Sequence, residues 1–157
     1  MARITLETPV GHIWVSSDDG AVSGISWGRP EAEGLDPVLD QARVELDAYF
    51  AGKLTEFTVP LALPKPGFKR DFLQALIDIP FGETRSYGDL AKELGVSAQA
   101  IGQACGANHI PIIIPCHRVI GADNSRTGFG GGLDVKAFLL EHEWAVKPPM
   151  GHQPKLI

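Results

Sequence analysis

Ser86-Tyr87-Gly88-Asp89-Leu90-Ala91-Lys92-Glu93-Leu94-Gly95-Val96-Ser97-Ala98-Gln99-Ala100-Ile101-Gly102-Gln103-Ala104-Cys105 is the stretch on which the fold turns. Ser86 and Ser97 are good helix N-caps, because a serine hydroxyl can accept from a backbone N–H that the first helical turn leaves unbonded. Gly95 stands between the two runs, where a left-handed residue ends one helix and turns the chain into the next. The pattern predicts two short helices joined by a tight bend, a helix-turn-helix. Ala98, Ala100, Gly102, Ala104 and Gly106 give the second helix little bulk, so its backbone can press close to another surface. Its sizeable polar side chains are Gln99 and Gln103, with neither lysine nor arginine, which equips it poorly for reading a major groove.

Upstream, Phe68, Phe72, Leu73, Leu76 and Ile77 form an apolar stripe that predicts a helix from Phe68 to Ile79, ended by Pro80 and Gly82. Residues 60–67, rich in proline, read as a domain junction. Before it, 36–51 has helical spacing, and Phe57-Thr58-Val59 reads as a brief extended piece. Ile4-Thr5-Leu6, His12-Ile13-Trp14-Val15 and 22–27 are β-rich runs separated by turn residues at Pro9, Gly11 and Asp18-Asp19-Gly20. Downstream, a glycine-rich loop covers 127–132, and a helix over about 134–145 is expected to turn Val135, Phe138, Leu139 and Trp144 inward. The fold class that follows is a small α/β N-terminal domain, an antiparallel sheet plus a helix, over 1–63. A mainly α, winged-helix-like helix-turn-helix domain follows over 64–146, and 147–157 form a tail.

The chain has 157 residues, 44% of them hydrophobic and 21% charged, an ordinary soluble composition that can bury a core. No apolar run is long enough to span a bilayer, and the first residues do not form a signal peptide. Two cysteines, Cys105 and Cys116, are too few for a disulfide framework and lack metal spacing, so a reducing, cytoplasmic setting without metal or cofactor is expected. The formal net charge of −5 argues against broad coating of nucleic acid, though not against a local basic face. Residues 31–47 are acid-rich, whereas Lys65, Lys69, Arg70, Arg85, Lys92, Arg118, Arg126 and Lys136 lie beyond residue 64.

Pro115-Cys116-His117-Arg118 ends the stiff apolar run Ile110-Pro111-Ile112-Ile113-Ile114. A cysteine attacks as its thiolate and needs a base or a positive environment to ionise. His117 is adjacent, but neighbours in an extended chain point apart, so contact needs a sharp turn or a bridging water. A carboxylate behind the histidine would set its tautomer, and Glu141 and Glu143 are the candidates. Tyr87 could donate to a leaving group, and glycines at 130–132 would let the backbone approach a planar substrate. Taken alone, each of these is as well read as an ordinary core or surface residue.

Together they resemble the O6-alkylguanine-DNA alkyltransferases. The resemblance runs through Phe81 to Ala91, Ala100-Ile101-Gly102, Asn108, Pro111 to Arg118, Gly130 to Leu133, Lys136, and Leu139 to Glu143, covering about 66–145. Thr8 to Gly11 and Asp19-Gly20 match the family's N-terminal domain more weakly. The resemblance implies transfer of an alkyl group from O6-alkylguanine, or O4-alkylthymine, in double-stranded DNA to Cys116. Each molecule would act once, as a monomer, on a base flipped from the helix. It implies that His117 is the base, oriented by Glu143, that Asn108 holds the turn presenting the cysteine, and that Tyr87 donates toward the guanine. Gln99, Ala100, Gly102, Arg118, Val119, Phe129, Gly130, Gly131 and Lys136 would contact substrate or DNA. Gln99 stands where the family usually has an arginine that fills the gap left by the flipped base. His109 replaces a common proline, and Phe129 a frequent tyrosine. The second reading is a lesion-binding relative that transfers nothing or little. A Cys-His hydrolase ranks last, since no signature of an oxyanion hole is present.

Overall fold

The computed structural model describes residues 2–30, 33–121 and 133–147. The chain divides into two compact units, Met1–Leu63 and Pro64–Ile157. In the first, β1 (Ala2–Thr8), β2 (Gly11–Asp18) and β3 (Ala21–Trp27) form an antiparallel sheet in that order. Alternation places Ile4, Leu6, Ile13, Val15 and Ile25 on the buried face, and the register shift opposite Ser16 and Ser17 lets Val22, three residues from Ile25, be buried as well. Asp19 and Gly20, at φ 53° and 76°, make the left-handed pair that a tight hairpin turn between β2 and β3 requires.

Helix α1 (Pro37–Phe50) packs on this sheet through Leu39, Ala42 and Leu46, none of which has exposed surface. Asp36 caps it by accepting from Val38 N at 3.1 Å, and its second oxygen accepts from the Ser17 hydroxyl of β2 at 2.8 Å. Glu45 is buried in α1 and receives the backbone N–H groups of Thr58 and Val59 and the Thr58 hydroxyl. Those bonds outweigh burial and hold its carboxyl below the ordinary value. The extended piece expected at 57–59 is therefore fixed by a carboxylate rather than by strand pairing. Among the described residues, the isolated bridge nearby joins Val22 to Leu61.

In the second unit, α2 (Phe68–Ile77) stops two residues earlier than its apolar stripe suggests, with Asp78 as its C-cap. Phe68, expected on the inward stripe, is 39% exposed and stacks on Phe72 instead. Helices α3 (Tyr87–Leu94) and α4 (Ala98–Gly106) form the expected helix-turn-helix. Ser86 caps α3 in a reciprocal box with Asp89, Ser97 caps α4, and Gly95 takes the left-handed bend at φ 70°. Two short strands, β4 (Arg85–Ser86) and β5 (Val119–Ile120), pair in parallel. Helix α5 (Leu133–Val146) closes the unit. Among the described residues, no helix is long and apolar enough to cross a membrane.

The expected inward face of α5 needs correction. Lys136, Leu139, Leu140 and Glu143 are the buried residues, and Val135, Phe138 and Trp144 are half-buried. Two charged groups thus occupy the core side of this helix because each has partners there.

Candidate active site

The chain from Asn108 to Arg118 is wound into consecutive turns. Ile114 N donates to Ile110 O at 2.9 Å, Cys116 N to Ile114 O at 2.8 Å and Arg118 N to Pro115 O at 3.0 Å. Asn108 braces them: its Nδ2 donates to Ile114 O at 2.9 Å, and its Oδ1 accepts from Ile110 N at 3.0 Å. Ile112 pays for this path with a φ of 74°, a conformation that a β-branched side chain strongly disfavours. The turn residues Ile110, Ile112 and Ile114 are buried, so packing holds the strained backbone in place.

Cys116 opens a 3₁₀ turn, Cys116–Arg118, and is 2% exposed. Burial pushes its thiol up to about 11, against the opposing pull of an Asn108 hydrogen bond and the Lys136 charge. At rest it is a protonated thiol. Cys105 of α4 is also buried, and its thiol is pushed up to about 12, mainly by burial and secondarily by Cys116.

The sharp turn sends His117 and Arg118 to a common partner. His117 Nε2 lies 2.6 Å from Glu143 Oε2, and the ring has no exposed surface. Burial lowers the histidine below its ordinary value and outweighs the carboxylate that favours its charge, so His117 is neutral at pH 7. In that state its Nε2–H donates to Glu143, a tautomer inferred from the bonding, and Nδ1 carries the lone pair. Arg118 donates Nε to Glu143 Oε1 at 2.8 Å and Nη2 to Oε2 at 3.1 Å. Burial alone would raise Glu143, but His117 and Arg118 together hold it well below the usual carboxylate range. Of the two candidate carboxylates, Glu143 is the one behind the histidine, and Glu141 is exposed.

Two residues expected on the DNA side belong inside. Arg118 is 6% exposed, donates its third group, Nη1, to Ile79 O at 2.6 Å and lies over the Phe81 ring. Its guanidinium is used up in the protein. Lys136 has no exposed surface, and its Nζ donates to Val119 O at 2.6 Å. Val119 N in turn donates to Cys116 O, so both backbone groups of Val119, a residue expected to contact substrate or DNA, already have protein partners. The Val119 carbonyl keeps one further lone pair for a base.

Tyr87 is half-buried at the start of α3, with its hydroxyl 3.5 Å from Lys136 Nζ. Gln99 is exposed in the first turn of α4, and Ala100 and Gly102 are half-exposed on the same helix. Phe129, Gly130 and Gly131 lie outside the described residues. The inward placing of Lys136 and Glu143 could have been read from their spacing with Leu139 and Leu140, which puts all four on one helical face. The left-handed Ile112 left no such signal.

Residues 67–145 match the family described as 6-O-methylguanine DNA methyltransferase, DNA binding domain, and residues 1–63 match its ribonuclease-like domain. A methylated-DNA–protein-cysteine methyltransferase of Methanosarcina acetivorans is 40% identical over 147 residues, 87% of this chain and 94% of the relative. One from Mycobacterium bovis is 39% identical over 158 residues, 92% and 93% of the two chains. Among solved structures, Mycobacterium tuberculosis OGT in complex with DNA superposes with a TM-score of 0.83 at 39% identity, covering 94% of this chain and 96% of that one.

Proposed function

This chain belongs to the 6-O-methylguanine DNA methyltransferase family, and on that premise we propose that it repairs DNA by moving an alkyl group from guanine O6 to Cys116. The observation that carries the assignment to this cysteine is the buried series Cys116, His117, Glu143, in which a neutral imidazole is oriented by an ionised carboxylate. His117 Nδ1 takes the thiol proton through a water. Sγ then attacks the alkyl carbon, and the carbon–oxygen bond breaks with its electron pair going to guanine O6. Tyr87 donates a proton to the departing base. The product is a thioether, which no residue of the site can hydrolyse, so each molecule acts once.

The substrate is double-stranded DNA with the damaged base flipped out, since an enzyme acting on a base must take it from the stack. The low bulk of α4 suits a close approach through the minor groove, with Gln99 beside the vacated position. O4-alkylthymine offers the same leaving-group chemistry. Two free cysteines fit a reducing, cytoplasmic setting, and the chain is read as a monomer.

Mixing the protein with an O6-methylguanine duplex should add about one methyl mass to the protein. Cys116→Ser should gain no mass and still bind the lesion within about twofold of wild type. Tight lesion binding by the wild type without mass gain would favour the lesion-binding reading, and neither binding nor transfer would sink both.

A further inference from the structure

A groove that the proposed chemistry does not use runs between α2 and α4. Its volume is about 440 Å³, within the range of ligand-binding clefts. Phe68 and Phe72, stacked with ring centroids 6.2 Å apart, line its α2 side, and Ala100, Ala104 and Ala107 line its α4 side. Phe68 keeps 39% of its surface exposed there, although nothing in its apolar chemistry favours that. The rim is basic. Lys69 lines the groove and is exposed, and Arg70 is held at one end by donating Nη1 to the carbonyl of Pro64, a lining residue, at 3.4 Å. Gln103 and His109 add polar groups on the α4 side, and among the described residues no carboxylate lines the groove.

An apolar wall with cations at its edge matches a sugar–phosphate chain, in which sugar carbons alternate with negative charges. The groove is continuous with the face of α4 that enters the minor groove in the reading above, since Ala100 belongs to both. Helix α4 has neither lysine nor arginine, so phosphates beside it need a cation from a neighbouring element. We propose that the α2–α4 groove seats the DNA backbone flanking the damaged base, with Lys69 and Arg70 supplying the phosphate contacts that Gln99 cannot. Both are positioning residues: they hold the duplex in register and touch no reacting atom. The inference rests on the reading of this chain as a DNA alkyltransferase that docks through α4.

The test is the affinity of the full chain for an O6-methylguanine duplex across a series of salt concentrations, read by fluorescence anisotropy. Lys69→Ala and Arg70→Ala should each weaken binding and lower the slope of log affinity against log salt by about one, and the double change by about two. Lys53→Ala removes the same charge from an exposed site in the N-terminal unit and should leave the slope as it is in wild type. Ala104→Leu keeps every charge but fills the groove, and it should weaken binding several-fold. Ala107→Leu carries the same comparison if Ala104→Leu is unfolded. An unaltered slope in the double variant, or an equal fall with Lys53→Ala, would overturn the proposal. Full affinity in the filled-groove variants would also overturn it and leave the groove to a small apolar ligand or a protein partner. Unaltered slopes in a protein that still transfers methyl sink the groove reading alone. A wild type that does not bind the duplex sinks the DNA reading, and this one with it.

Discussion

At the scale of single residues, Cys116 is both buried and unready. A thiol raised to about 11 carries, at neutral pH, roughly 100-fold or more less thiolate than an ordinary cysteine. Without DNA, Cys116 should therefore react with iodoacetamide at pH 7.5 far more slowly than free cysteine. Labelling at the ordinary rate would mean that His117 or Lys136 ionises the thiol before any substrate arrives. Glu143 sets the other residue-scale expectation. Its folded-state carboxyl is depressed, so its stabilising contribution is present above the unfolded value of about 4.3 and drains away as pH falls below it. Wild type should lose stability from pH 5 to pH 3 more steeply than Glu143→Gln. At pH 7 that variant should be less stable by about 3–5 kcal/mol, because it strands the buried Arg118 charge. Denaturant titrations at several pH values read both effects.

At the scale of elements, the helix-turn-helix was legible in sequence because its signals are local. Ser86, Ser97 and Gly95 each act within one helical turn, and each does what its chemistry demands. The direction of Arg118 was not legible, because charge on a side chain says nothing about whether a buried carboxylate awaits it. Glu143 sits 25 residues from Arg118 and decides that direction. Phe68 failed for the converse reason: helical spacing marks a face, but the neighbouring elements decide how much of that face is covered. Two tests belong here. Gln99→Arg should tighten duplex binding and steepen its salt dependence by about one counterion released; an unchanged slope would mean that α4 docks with this position off the phosphates. Gly82, at φ +85°, would place an added Cβ 2.5 Å from Lys147 O. Gly82→Ala should thus lower stability by at least about 1–2 kcal/mol in thermal melts, since the Gly82 carbonyl also receives Trp144 Nε1 at 3.1 Å.

At the scale of the whole molecule, the two units divide the work unevenly. Every described residue of the candidate site lies beyond Leu63, while the N-terminal unit is a sheet tied to its helix through Asp36, with Glu45 fastening the extended piece at Thr58 and Val59 to that helix. An acidic protein that acts on DNA must rely on local fit more than on bulk charge, which suits a recognition helix built of alanine and glycine. The central claim is that one thiol, once used, is spent. It is tested most directly by titrating the protein with excess O6-methylguanine duplex and measuring methyl transferred per protein, with the modified peptide mapped. The account predicts a plateau at one methyl per molecule, on Cys116 and not on Cys105. Continued transfer beyond that plateau, or a methyl on any other residue, would contradict it.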